Sequence, residues 1–212
     1  MGLVARSGQN VPIDRPSMPK TFRHLWSQIA SFDGLHAAYI KARRNKRYDG
    51  DTLLFSMHLE DELLKLLGEL ESGRYRTGEY HRFAVYEPKK REVAALPFRD
   101  RVVQHALCNV IEPIYEARFI HDSYACRVGK GTHAGVDRLT EFLREAHRSC
   151  AQTFILKADV SKFFPSVDHA RLKQVLWRHV ACPRTLSLID GIINSWNANT
   201  GKGIPIGNLT SQ

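Results

Sequence analysis

Between long runs of helical periodicity lies one short stretch with a period of two residues. A chain built that way is neither a pure helical bundle nor a β-sandwich. The stretch runs from Tyr80. His81-Arg-Phe-Ala-Val-Tyr86 and Glu92-Val-Ala-Ala-Leu96 read as strands, and Glu87-Pro-Lys-Lys-Arg91 joins them as a hairpin with a basic tip. Before it, Phe22, Leu25, Trp26 and Ile29 recur at helical spacing, and Leu35, Ala38, Tyr39 and Ala42 do the same. Tyr48-Asp-Gly-Asp51 is a turn, and a long helix with a Leu53, Met57, Leu64 and Leu67 stripe follows, ending near Gly73.

After the hairpin, residues 99–117 are helical, with Pro113 set to bend or end the helix. A glycine-rich basic turn, Arg127-Val-Gly-Lys-Gly-Thr132, leads into a helix carrying Val136, Leu139, Phe142, Leu143 and Ala146. Thr153-Phe-Ile-Leu-Lys-Ala-Asp-Val160 reads as a strand from its β-branched and aromatic content. Two more helices follow, one with Leu172, Val175 and Leu176, the other with Ile189, Ile192, Ile193 and Trp196. The pattern is α+β, divided as a flexible tail over 1–20, a helical N-terminal region over 21–79, and further units over 80–151 and 152–212.

Charge narrows the partner. The 212 residues carry 31 Lys and Arg against 22 Asp and Glu, a formal net charge of +9. That balance fits a polyanion, nucleic acid before membrane, and also an ordinary basic protein. The most apolar stretches are broken by polar residues, so no span crosses a membrane, and the N-terminus lacks a secretory apolar core. The four cysteines, Cys108, Cys126, Cys150 and Cys182, are far apart and show no zinc spacing. They read as reduced thiols of a cytoplasmic protein, mostly filling the core.

Several residues could carry chemistry. Asp159 ends the expected strand beside Phe163-Phe164, and a strand-end carboxylate either holds Mg2+ or caps a turn. Asp168 precedes a helical run and reads as its N-cap. Gly129, Lys130 and Gly131 could cradle a phosphate, although no P-loop pattern surrounds them. Lys90 and Arg91 in the basic hairpin make a better phosphate grip, because guanidinium binds two oxygens at once. Lys41-Ala-Arg-Arg-Asn-Lys-Arg47 is either a solvated helix end or a phosphate contact. No nucleophile elbow occurs.

Taken together, four segments resemble the reverse transcriptases. Lys157-Ala-Asp-Val-Ser-Lys-Phe-Phe-Pro-Ser-Val-Asp-His169 is similar to their first palm motif and Gly203-Ile-Pro-Ile-Gly-Asn-Leu-Thr-Ser-Gln212 to the next. Leu96-Pro-Phe-Arg-Asp-Arg-Val-Val-Gln104 and Asp122-Ser-Tyr-Ala-Cys-Arg-Val-Gly-Lys-Gly-Thr-His133 resemble the two fingers blocks of group II intron-like enzymes. The blocks come in the family's order over roughly residues 22–212. Pro205-Ile206-Gly207 stands where most members have Pro-Gln-Gly, which is the style of diversity-generating retroelements; retron and group II intron enzymes are the near alternatives.

The resemblance implies a right-hand polymerase fold, with fingers over 80–151 and a partial palm over 152–212. It implies RNA-templated DNA synthesis with Mg2+, dNTPs, an RNA template and a DNA primer or cDNA, together with a small basic accessory protein. Asp159 matches the metal-binding and catalytic Asp, joined by the Val160 carbonyl. Phe164 matches the steric gate against a ribose 2′-OH, Arg91 and Lys90 the triphosphate grip, and Ile206 and Gly207 the pair beside the nascent base pair. Arg99, Arg101, Arg127 and Lys130 are the expected nucleic-acid contacts. Ile206 offers shape where Gln would hydrogen-bond, in line with error-prone copying. The family's Tyr-x-Asp-Asp hairpin and its thumb do not appear, so the chain reads as an N-terminal fragment, inactive alone. The competing reading is a non-catalytic RNA-binding protein that keeps the scaffold.

Overall fold

The computed structural model describes residues 21–86, 90–149, 152–197 and 199–211. The expected tail over 1–20, the tip of the hairpin over 87–89, and Cys150 lie outside the described residues. The elements come in the order α1 (Trp26–Ile29), α2 (Phe32–Ala42), α3 (Gly50–Met57), α4 (Leu59–Glu71), β1 (His81–Val85), β2 (Arg91–Ala95), α5 (Phe98–Glu116), α6 (Thr132–Ser149), α7 (Phe163–Ser166), α8 (His169–Trp177) and α9 (Pro183–Asn194). A 3-10 turn at Leu209–Ser211 closes the order.

Helix α5 is the centre of the fold. Its Phe98, Val102, Val103, Ala106 and Leu107 are almost wholly buried, at the spacing that lines one helical face. Helix α2 lays Leu35, Ala38, Tyr39 and Ala42 against it, the periodicity legible in the sequence. Ser31 starts α2 by accepting a hydrogen bond from the Gly34 amide at 3.1 Å. Tyr39, Phe55 and Phe98 form an aromatic triangle with ring centroids 5.2 to 6.1 Å apart. Each fully buried aliphatic chain in this core contributes about 1.5–3 kcal/mol. Helix α5 runs through Pro113 to Glu116 without ending there.

The long helix expected after residue 51 is two helices. His58 leaves helical geometry, with φ −119° and ψ 36°, and the interruption turns α4 relative to α3. Thr52, Phe55, Leu63, Leu66 and Leu70 face the core, while the expected stripe members Leu53, Met57 and Leu64 are exposed. The carboxylate of Asp51 accepts from the Phe98 amide at 2.6 Å, so the first turn of α3 caps α5 across 47 residues. The segment around Phe22 pairs with the α8–α9 connection through an isolated parallel bridge to Val180.

The hairpin forms as expected. β1 and β2 are antiparallel, with His81 opposite Ala95 and Val85 opposite Arg91. The strand expected over 153–160 does not form. A strand needs a neighbour for its amides and carbonyls, and among the described residues β1 and β2 form the only sheet. Phe154, Ile155 and Leu156 are therefore 85%, 72% and 91% exposed. Helix α6 likewise has no buried residue, and Val136, Leu139, Phe142 and Leu143 stand exposed along one stripe. Cys182 is buried and Cys108 half-buried, its thiol pushed up to about 12 by burial; Cys126 is exposed, which corrects the expectation of a core role. Among the described residues, no helix is long and apolar enough to cross a membrane.

Candidate active site

The candidate site is assembled by the loop that follows α9. Three backbone hydrogen bonds fasten it to the segment carrying Phe164. Gly203 donates to the Val167 carbonyl at 2.7 Å, Ile204 donates to the Phe164 carbonyl at 3.0 Å, and the His169 amide donates to the Gly201 carbonyl at 3.0 Å. An antiparallel bridge between Asp168 and Lys202 belongs to the same seam. The buried His169 ring adds a bond from Nε2 to the Gly203 carbonyl at 2.6 Å. A carbonyl only accepts, so Nε2 carries the proton there. Asp168 caps α8 as expected, accepting from the Arg171 amide at 2.9 Å, and that bond holds its carboxyl below the usual carboxylate range.

The same loop reaches the hairpin. The Ala94 amide donates to the Ile206 carbonyl at 2.8 Å, on the edge of β2 that β1 leaves free. Gly207 has φ +120°, and a Cβ there would stand 2.8 Å from the Ala94 carbonyl oxygen and 2.9 Å from Val93 Cγ1. Only glycine fits that approach. Arg91 and Val93 share a face of β2, so the face against which Gly207 packs also carries Arg91, about 7 Å away along the strand. One loop is thus bonded to the Phe164 carbonyl through Ile204 and to β2, the strand that carries Arg91, through Ile206, with Gly207 packed against that strand. Lys90 lies just outside β2, with its ammonium 5.8 Å from the Tyr86 ring centroid.

Asp159 is exposed, and its carboxylate accepts from the adjacent Val160 amide at 2.9 Å. Phe164 is partly buried and meets Phe163 edge-on at 5.5 Å. Among the described residues, no group of three or more His, Cys, Asp or Glu side chains could hold a metal ion. Asp159 belongs to no such group.

The expected nucleic-acid contacts divide. Arg127 spends its guanidinium inside the chain: Nε and Nη2 donate to Glu116 at 2.8 and 2.7 Å, and Nη1 donates to the Ile120 and Ser123 carbonyls. Lys130 donates to the His121 carbonyl and lies 5.1 Å from the Tyr124 ring centroid. Arg99 pairs with Glu69 at 2.6 Å. Each of these three side chains thus has a partner within the chain. Arg101 Nε donates to the Leu96 carbonyl at 2.9 Å. Sequence reasoning missed Tyr80, Ser195 and Asn208. Asn208 Nδ2 donates to the Tyr80 hydroxyl at 3.0 Å, and that hydroxyl lies 2.8 Å from Ser195 Oγ. Nothing local to those residues announces a link across more than a hundred positions.

No family model matches the chain. Among curated proteins it is 28% identical over 171 residues to Protein YkfC of Escherichia coli (strain K12), covering 74% of this chain and 43% of that protein. It is 28% identical over 150 residues to Nuclear intron maturase 2, mitochondrial, of Arabidopsis thaliana, covering 63% of this chain and 20% of that one. Group II intron-encoded protein LtrA of Lactococcus lactis subsp. cremoris matches across 100% of this chain and 36% of its own length at 21% identity. The chain spans less than half the length of these relatives. A solved structure titled "Partial Cas6-RT-Cas1--Cas2 complex" matches with a TM-score of 0.49 at 19% identity, over 79% of this chain and 28% of that one. With the four motif blocks in order, and intron-encoded and maturase proteins among the proteins it is similar to at 21% to 29% identity, the chain resembles the group II intron-like reverse transcriptases.

Proposed function

We propose that this chain is the fingers and part of the palm of a right-hand RNA-directed DNA polymerase, of the diversity-generating type. One observation carries the reading. A single loop is hydrogen-bonded both to the Phe164 segment and to β2, which supports a reading in which the expected sugar gate, base-pair contacts and triphosphate grip, drawn from three stretches of sequence, act together.

In this reading Arg91 binds the incoming dNTP through its phosphates, and the Phe164 ring lies against the sugar where a 2′-hydroxyl would collide. Gly207 keeps the loop close to β2, and Ile206 meets the nascent pair by shape alone, which relaxes selection among bases. Asp159 and the Val160 carbonyl are one arm of a Mg2+ site, and the ion would stabilise charge on the attacking and leaving oxygens when bound. Two-metal chemistry needs further carboxylates, so residues 1–212 are not expected to polymerise by themselves. Arg99, Arg101, Arg127 and Lys130 are the expected contacts for RNA template and DNA primer, and a basic accessory protein belongs to the same assembly.

The second reading, a non-catalytic RNA-binding scaffold, draws on the lone carboxylate and on the inward commitment of Arg127 and Lys130. Primer extension by the full-length protein, with Mg2+, dNTPs, an RNA template and a DNA primer, separates the two. The expected result is extension by the wild type and its loss in Asp159→Asn, with unchanged thermal stability because Asp159 is exposed. Extension by Asp159→Asn at the wild-type rate refutes the metal-binding role of Asp159. RNA binding without extension by the wild type favours the scaffold.

A further inference from the structure

Tyr80 stands immediately before β1, and its phenol is the middle of a directed hydrogen-bond relay. Ser195 Oγ, at the C-cap of α9, gives its only proton to the Ile192 carbonyl at 2.7 Å. It therefore accepts from Tyr80, 2.8 Å away. The phenolic oxygen in turn accepts from Asn208 Nδ2 at 3.0 Å. Each proton is used once, in the order Asn208, Tyr80, Ser195, Ile192. Burial raises the Tyr80 pKa, so the proton the relay needs stays in place. The ring is held as firmly: Trp196 meets it edge-on at 5.0 Å, and the Arg82 guanidinium lies 4.6 Å from the centroid of Trp196.

The relay brackets Gly207. On one side Ile206 is bonded to β2 through Ala94; on the other, Asn208, only 4% exposed, is bonded to the residue that opens β1. The loop is therefore held by β2 and by the residue preceding β1, one residue to either side of its tightest point.

We propose that Tyr80 is a positioning residue for the incoming deoxynucleoside triphosphate. It sets the separation between the hairpin face carrying Arg91 and the Ile206–Gly207 pair. The geometric half stands on the relay; the nucleotide half rests on the polymerase reading.

Tyr80→Phe removes the hydroxyl and keeps the ring on Trp196. Amide hydrogen exchange on the full-length protein reads the Ala94 N–H directly. The expected result is exchange at Ala94 about tenfold faster, with Val102 and Val103 in α5 within about twofold of wild type. In primer extension, KM for dNTP rises about fivefold to tenfold while kcat stays within about twofold. Asn208→Ala placed on top of Tyr80→Phe adds little to either change, because both break one relay. Unchanged exchange at Ala94, or faster exchange spread equally through α5, overturns the relay. An unchanged KM in a variant that still extends primers overturns the nucleotide role. A wild-type protein that extends no primer refutes the polymerase reading and the nucleotide role with it, while the exchange result still decides the relay.

Discussion

Replacing Gly207 with alanine puts a methyl group where the structure leaves no room for one. The new Cβ would sit 2.8 Å from the Ala94 carbonyl oxygen and 2.9 Å from Val93 Cγ1, at a φ of +120° that L-residues rarely adopt. The backbone strain costs about 1–3 kcal/mol. Overpacking against a carbonyl that cannot rotate away adds about 1–3 kcal/mol. Together they exceed the roughly 0.5–1.5 kcal/mol that the Ala94 to Ile206 bond contributes, so the loop is expected to leave β2 before the core yields. Gly201→Ala is the control. Its φ is also positive, +62°, but its Cβ would meet nothing within 4 Å, so it costs about 1–2 kcal/mol. Urea denaturation followed by circular dichroism, with amide exchange at Ala94, measures both effects. The expected result is loss of protection at Ala94 in Gly207→Ala and its retention in Gly201→Ala. Equal protection in the two variants would refute the claim that close approach, rather than φ alone, demands glycine at position 207.

Two further outcomes test the supports of the site. Tyr75→Phe removes the 2.6 Å bond from the phenol to the buried Asp100 carboxylate and should cost about 1–3 kcal/mol, read as a lower urea midpoint at unchanged slope. Burial raises the folded pKa of Asp100 above its unfolded value, so ionisation costs stability at neutral pH and protonation recovers it as pH falls through the folded value. Losing Tyr75 raises that pKa further, and the deficit of Tyr75→Phe should narrow in acid. Asp168 behaves with the opposite sign. Its cap bond to the Arg171 amide lowers the folded pKa, so its contribution is present above the unfolded value of about 4 and is lost as pH falls through the folded one. Thermal denaturation of Asp168→Ala should therefore differ from wild type at neutral pH and converge with it at low pH.

Much of the architecture was legible because it is written locally. The Leu35, Ala38, Tyr39, Ala42 spacing, the alternation of the hairpin and the Asp168 cap each lie within a turn or two of the chain, and each appears in the structure. The four motif blocks likewise carried the family relationship by order and spacing. What the sequence could not decide depends on partners far away. Alternation over 153–160 is compatible with a strand, but a strand exists only where another backbone satisfies its amides and carbonyls, and no described segment does so. Arg127 and Lys130, expected from the resemblance to meet nucleic acid, have Glu116 and the His121 carbonyl as partners within the chain, which no local pattern announces. Tyr80 meets Ser195 across 115 positions and Asn208 across 128. Periodicity and capping act over a few residues, whereas a hydrogen bond between distant segments is settled only when the core between them packs. That is why the α2 stripe and the hairpin could be read from the chain, and the loop bonded to both the Phe164 carbonyl and β2 could not.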